Sequence, residues 1–137
     1  MEFVKRRRVI IAVIILMIFG IVWSHFGADI TLHLYKQKVK SFVDTQEYSK
    51  KTKDILYVAI DHIRYPEDIL DYKKIYITQA DWLDGKGWLI GTDGIDHEVE
   101  VDADDWYVVI GDTTLHRYYN AIIDRETLEY LGSVPIA

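Results

Sequence analysis

An unbroken apolar run, Val9 to Trp23 (VIIAVIILMIFGIVW), stands directly behind four consecutive cations, Lys5, Arg6, Arg7 and Arg8. No other feature constrains the fold of this chain as much. With Ser24 to Ala28 the run reaches 20 residues, about the length of helix that crosses a hydrocarbon core. A buried core helix is the weaker reading of it, given the all-round hydrophobicity of the run and its basic flank. The basic residues before the run hold the N-terminus in the cytoplasm by the positive-inside rule and send the rest of the chain out. Trp23, His25 and Phe26 fall where interfacial residues belong. A cleaved signal peptide has the same basic start and apolar middle. Against it, Phe26 occupies the position three residues before a cut after Ala28, and the run is long for a signal. The expected organisation is a cytoplasmic basic segment (1–8), a transmembrane anchor (9–28) and an extracytoplasmic domain (29–137) at the cell membrane.

The remaining length suits one small domain. The sequence contains no cysteine, which rules out disulfides, thiolate metal sites and cysteine nucleophiles; such a domain folds on packing alone, as suits a bacterial cell envelope. Residues 1–28 carry a formal +3, so that of the −6 on the whole chain residues 29–137 hold −9. An acidic domain lacks the cationic contacts that nucleic acid requires, and an anionic membrane surface would repel it.

Hydrophobic periodicity predicts an α+β layout: one or two helices, then an antiparallel meander of about five to six strands. Asp29 to Glu47 reads as a helix with Leu32, Tyr35, Val39 and Phe42 on one stripe and Lys36, Lys38 and Lys40 on the other faces. Nothing breaks the chain between Ala28 and Ile30, so the anchor runs into this helix as a stalk. Lys50 to Arg64 reads as a second helix with Ile55, Ala59, His62 and Ile63 on its apolar side, ended by Pro66; a strand at Ile55 to Ile60 is the alternative. From Lys73 the period becomes two. Lys73 to Leu83 and Trp88 to Gly91 are expected to form a hairpin around Asp84-Gly85-Lys86-Gly87. Strands at His97–Val101, Trp106–Ile110, Leu115–Ile123 and Leu128–Val134 follow, separated by turns. Trp82, Trp88 and Trp106 read as core or edge-covering residues.

The stretches Asp105 to Gly111 and Tyr119 to Gly132 resemble the C-terminal strands of PepSY-like, cystatin-like and NTF2-like (immunity-type) domains, with a tryptophan-led strand, an acidic turn at Asp124 to Thr127 and a strand closing on Leu131-Gly132. The resemblance covers about thirty residues and implies a small non-enzymatic domain on a membrane anchor, with no catalytic residue. Leu128 stands where such turns carry glycine, which reads as the absence of a left-handed backbone position.

The acidic residues Glu98, Glu100, Asp102, Asp104 and Asp105 form the candidate partner-binding face, since an acidic row steers a basic protein partner. Calcium is the other reading of such a cluster, but the EF-hand pattern is missing, and neither a metal nor another cofactor is expected. His97 and His116 lie on strands that would let them meet; none of the histidines has zinc-motif spacing. No serine has a nucleophile-elbow context. Gly85, Gly87, Gly91 and Gly94 read as turn glycines. The expected function is therefore a membrane-anchored, non-enzymatic binding or regulatory domain acting by protein–protein contact. An immunity protein against a toxin is the alternative, and an envelope hydrolase using two carboxylates comes third.

Overall fold

The computed structural model describes residues 2–83 and 85–135 and divides into two compact units, Met1–Leu34 and Tyr35–Ala137. Within the first, the large apolar side chains from Val9 to Trp23 are 48–70% exposed. They belong to helix α1 (Glu2–Thr45), which is long and apolar enough to cross a membrane. A buried core helix would hide these groups; this one offers them to whatever surrounds it. The side chains of His25 and Phe26 lie outside the described residues, as does the expected turn residue Asp84.

The second unit is α+β. The C-terminal part of α1 buries Val39 and Val43 completely. Helix α2 (Lys50–Asp61) starts at Ser49, whose hydroxyl accepts the Thr52 N–H at 3.2 Å, an N-cap that satisfies one of the otherwise unpaired first-turn donors. It buries Ile55, Leu56, Ala59 and Ile60. The helix ends three residues before the expected Arg64, at Asp61 with His62 as its cap, and the strand alternative for Ile55–Ile60 falls away. Lys36 and Lys40, off the apolar stripe, are not left free. Both reach the end of α2, where Lys36 Nζ donates to the Asp61 carbonyl and Lys40 pairs with the Asp61 carboxylate, each at 2.6 Å. Two cations at a helix C-terminus satisfy an orphan carbonyl and oppose the helix dipole.

Six strands form, but not as a meander. The main sheet has the order β1 (Ile75–Gln79), β4 (Trp106–Asp112), β5 (Arg117–Ile123), β6 (Tyr130–Gly132), all antiparallel. β2 (Gly85–Ile90) and β3 (Asp96–Val101) make a separate hairpin inserted between β1 and β4 in the chain. The expected pairing of residues 73–83 with 88–91 is therefore wrong: β1 pairs with β4, and β2 with β3. Gly85 and Gly87 lie within β2 and not in a turn. Two hydrogen bonds between Ile90 and Ser133, at 2.8 and 2.9 Å, join the hairpin to the end of β6.

Strand alternation sorts the main sheet into two faces. Val108, Ile110, Ala121 and Ile123 share the face that carries Tyr119 and Trp106. That face meets α2: Tyr119 Oη donates to the Ala59 carbonyl at 2.7 Å, and Lys51 Nζ sits 5.7 Å from the Trp106 ring centre. On the opposite face, Ile122 joins Ala80, Leu89 and Val101 in a second apolar cluster, with Tyr107 and Leu131 packed against it. The domain thus has a core on each side of one sheet.

Candidate protein-contact face

The hairpin β2–β3 has one apolar side and one polar side because its residues alternate. Leu89, Val99 and Val101 turn inward to the second cluster. The opposite parity carries Trp88, Glu98 and Glu100 outward. Trp88 sits directly across from Glu98 in the register and is 62% exposed. Both glutamates are exposed as well. Trp88 and Trp82, half exposed, are thus neither core nor buried edge cover; Trp106, mostly covered, is. The outward position of Trp88 could have been read from the sequence, since a hairpin turning at 91–95 sets it opposite Glu98 and out of phase with Val99.

The five acidic residues expected to act together divide into two groups. Glu98 and Glu100 lie on the outer hairpin surface. Asp102, Asp104 and Asp105 are occupied by the domain itself. Asp105 is 2% exposed and accepts the N–H groups of Asp102 and Arg125. The Arg125 guanidinium spans Asp104 at 2.9 Å and Asp102 at 3.4 Å. Arg125 was not singled out by sequence reasoning, and its partners lie more than twenty residues away in the chain.

Two recesses flank the main sheet. One, of about 520 Å³, lies on the sheet surface among Tyr76, Tyr107, Val109 and Tyr118, with the Lys74–Asp112 pair at its end at 3.1 Å. Burial, and then the neighbouring Tyr118, push the Tyr107 hydroxyl up to about 12. The other, of about 410 Å³, lies among His62, Arg64, Asn120, Tyr130 and Ser133. Several of its polar groups are paired within the fold. Asn120 exchanges two hydrogen bonds with the Val134 backbone, Ser133 Oγ donates to the Asn120 carbonyl, and the His62 ring stacks on Tyr130 at 4.1 Å.

His97 and His116 belong to different sheets. His97 engages Asp93 at 2.9 Å in the hairpin turn, and His116 sits in the β4–β5 turn of the other sheet. Among the described residues no cluster of three or more His, Asp or Glu side chains could hold a metal ion. Leu128 corrects another expectation: its φ is +57°, so the left-handed position exists and is filled by leucine. Asp124 builds the turn around it, accepting the N–H groups of Glu126 and Thr127 at 2.8 and 2.9 Å. No protein-family model, curated protein or solved structure matches the chain.

Proposed function

We propose that this chain is a single-pass membrane protein whose outer domain is a non-enzymatic binding or regulatory module acting by protein–protein contact. The observation that carries the reading is the outward-facing Trp88 with Glu98 opposite it and Glu100 beside it. A large aromatic held on a rigid hairpin is the kind of anchor that dominates interface energetics, and the two carboxylates favour a basic partner. The exposed apolar helix, with Lys5 to Arg8 before it, supports an anchored domain outside the cytoplasm.

Cross-linking in intact membranes tests this. The expected outcome is one protein partner, lost on Trp88→Ala and weakened by added salt or by Glu98→Lys with Glu100→Lys, because salt screens exposed charges. Unaltered capture by these variants would refute the assignment of the face. Protease added outside intact cells should remove the C-terminal domain; full protection would refute the orientation.

The same acidic row supports a second reading, a membrane-bound immunity protein that neutralises a basic toxin. Its signature is a deletion that is lethal only in the presence of that toxin.

A further inference from the structure

The sheet system ends in two edge strands of opposite character. β3 carries Asp96, Glu98 and Glu100 along its length, and such charges keep other strands away. β1 reads Ile75-Tyr76-Ile77-Thr78-Gln79, with no charge and no proline. Among the described residues β4 is its one strand partner. The Lys74 carbonyl accepts the Gly111 N–H at 2.8 Å, and the Ala80 N–H donates to the Asp105 carbonyl at 2.7 Å. Even-numbered residues therefore bond towards β4, and the N–H and C=O groups of Ile75, Ile77 and Gln79 point out of the sheet.

We propose that β1 pairs antiparallel with β1 of a second copy of this chain, on a two-fold axis at Ile77. In this register Ile77 faces Ile77 of the other copy, Ile75 faces Gln79, and every outward main-chain group finds a partner. An axis at Tyr76 or Thr78 leaves one end of each strand unmatched. The flanking charges select the same register. Lys73, in the turn before β1, lies four residues before Ile77, and Asp81, which opens the 3-10 helix after it, lies four residues after, so the two-fold axis places a lysine of one copy and an aspartate of the other at the same end of the paired strands. Neither residue makes an ion pair within its own copy among the described residues. A parallel or out-of-register guest strand would not meet this charge pattern. A shared membrane would raise the effective concentration of two tethered copies, which favours so short a pairing. The pairing does not depend on the Trp88 face, and Trp88→Ala serves as the control that keeps it.

The absence of native cysteine makes introduced thiols clean reporters. Differently tagged full-length chains, one carrying Tyr76→Cys and the other Thr78→Cys, are co-expressed and mildly oxidised in the membrane. These positions face each other as a non-hydrogen-bonded pair, with Cα atoms about 4.5 Å apart, within disulfide reach. A mixed-tag disulfide dimer is expected, and neither variant alone should give one. In micelles the full chain should have the mass of a dimer by light scattering. Ile77→Pro removes an outward N–H and leaves the β4 ladder intact; it should give the monomer mass with an unchanged circular dichroism spectrum. Lys73→Asp and Asp81→Lys should each lower the dimer fraction, and the double reversal should restore it, an outcome that needs no proline and holds if Ile77→Pro unfolds the domain. The proposal would be overturned by a monomeric wild-type chain or by a dimer indifferent to the charge reversals. Disulfide adducts of the Tyr76→Cys chain to a different protein, in place of the mixed-tag dimer, would overturn it too.

Discussion

The buried carboxylate of Asp105 holds the backbone N–H of Arg125 at 2.9 Å with one oxygen and that of Asp102 at 2.8 Å with the other. It thereby ties the β3–β4 turn to the segment between β5 and β6. Hydrogen bonds to a charged acceptor are worth about 1.5–3 kcal/mol each, and removing the acceptor strands two donors in a site with little access to water. Asp105→Ala should cost about 3–5 kcal/mol in urea unfolding, a large part of the stability of a domain this size. Asp105→Asn, which keeps one acceptor oxygen, should lose about half as much by the same reasoning. A loss below about 1 kcal/mol for the alanine variant would show that the tie is dispensable.

Gly132 occupies φ +148° where β6 meets the hairpin, and a Cβ there would stand 2.6 Å from Leu89 Cβ and 3.1 Å from the Ile90 carbonyl oxygen. Backbone and a buried leucine have little room to give. Gly132→Ala should destabilise by about 2–4 kcal/mol, combining backbone strain with overpacking. Hydrogen exchange should quicken first at the Ile90 and Ser133 amides, which bridge the two sheets. Unchanged protection there would mean that the hairpin is held from elsewhere.

Three carboxylates are held below the ordinary aspartate range: Asp124 by the N–H groups of Thr127 and Glu126, Asp93 by the Ile95 N–H and then His97, and Asp112 by the Leu115 N–H and then Lys74. A depressed folded value gives stability that is present above the unfolded value of about 3.9 and is lost as pH falls through the folded value. The thermal midpoint should therefore drop below about pH 4, and Asp124→Asn should shrink the drop. Tyr107 works in the other direction. Its raised value stabilises the fold below the unfolded value of about 10, and that contribution disappears as pH rises towards 12. Tyr107→Phe should soften the alkaline loss, and identical alkaline curves for the two proteins would speak against it.

Ile15 and Leu16 sit in the middle of the exposed apolar stretch. Replacing both by Asp should cost about 2.5–3.5 kcal/mol each on insertion scales and shift the chain from the membrane to the soluble fraction. A wild-type chain that fractionates as soluble would remove the basis for the anchor.

The sequence was most informative where one local pattern decides the structure. The all-round apolar run, a helix opening at Lys50 and the alternation of Val99 and Val101 with Glu98 and Glu100 all appear as read. Strand alternation, however, says which face a side chain takes and not which strand lies alongside. β1 was thus matched to its neighbour in sequence, although its partner begins at Trp106. The glycine cluster at 85–87 was read as a turn, yet Gly87 lies in β2 with space for a Cβ only in contact with Leu83 and Leu89. Helical phase set Lys36 and Lys40 apart from the apolar stripe but could not show that their long stems carry the ammonium groups to Asp61. The acidic residues were read as one surface, and only three-dimensional contact with Arg125 separates Asp102, Asp104 and Asp105 from Glu98 and Glu100. At Leu128 residue type misled, because the Asp124-centred turn enforces a backbone conformation that leucine rarely takes.

Insertion of the hairpin between β1 and β4 also sets an order of assembly. β4 and β5 are neighbours joined by a short turn and can zip locally, whereas β1 must close a loop of 26 residues to reach β4. That closure carries an entropic cost of about 3 kcal/mol from the length of the loop, less once β2 and β3 have already paired and shortened the path. On a growing polypeptide β1 emerges well before its partner. It stays unpaired until most of the domain has been synthesised, so the least guarded strand of the sheet is also the one kept waiting.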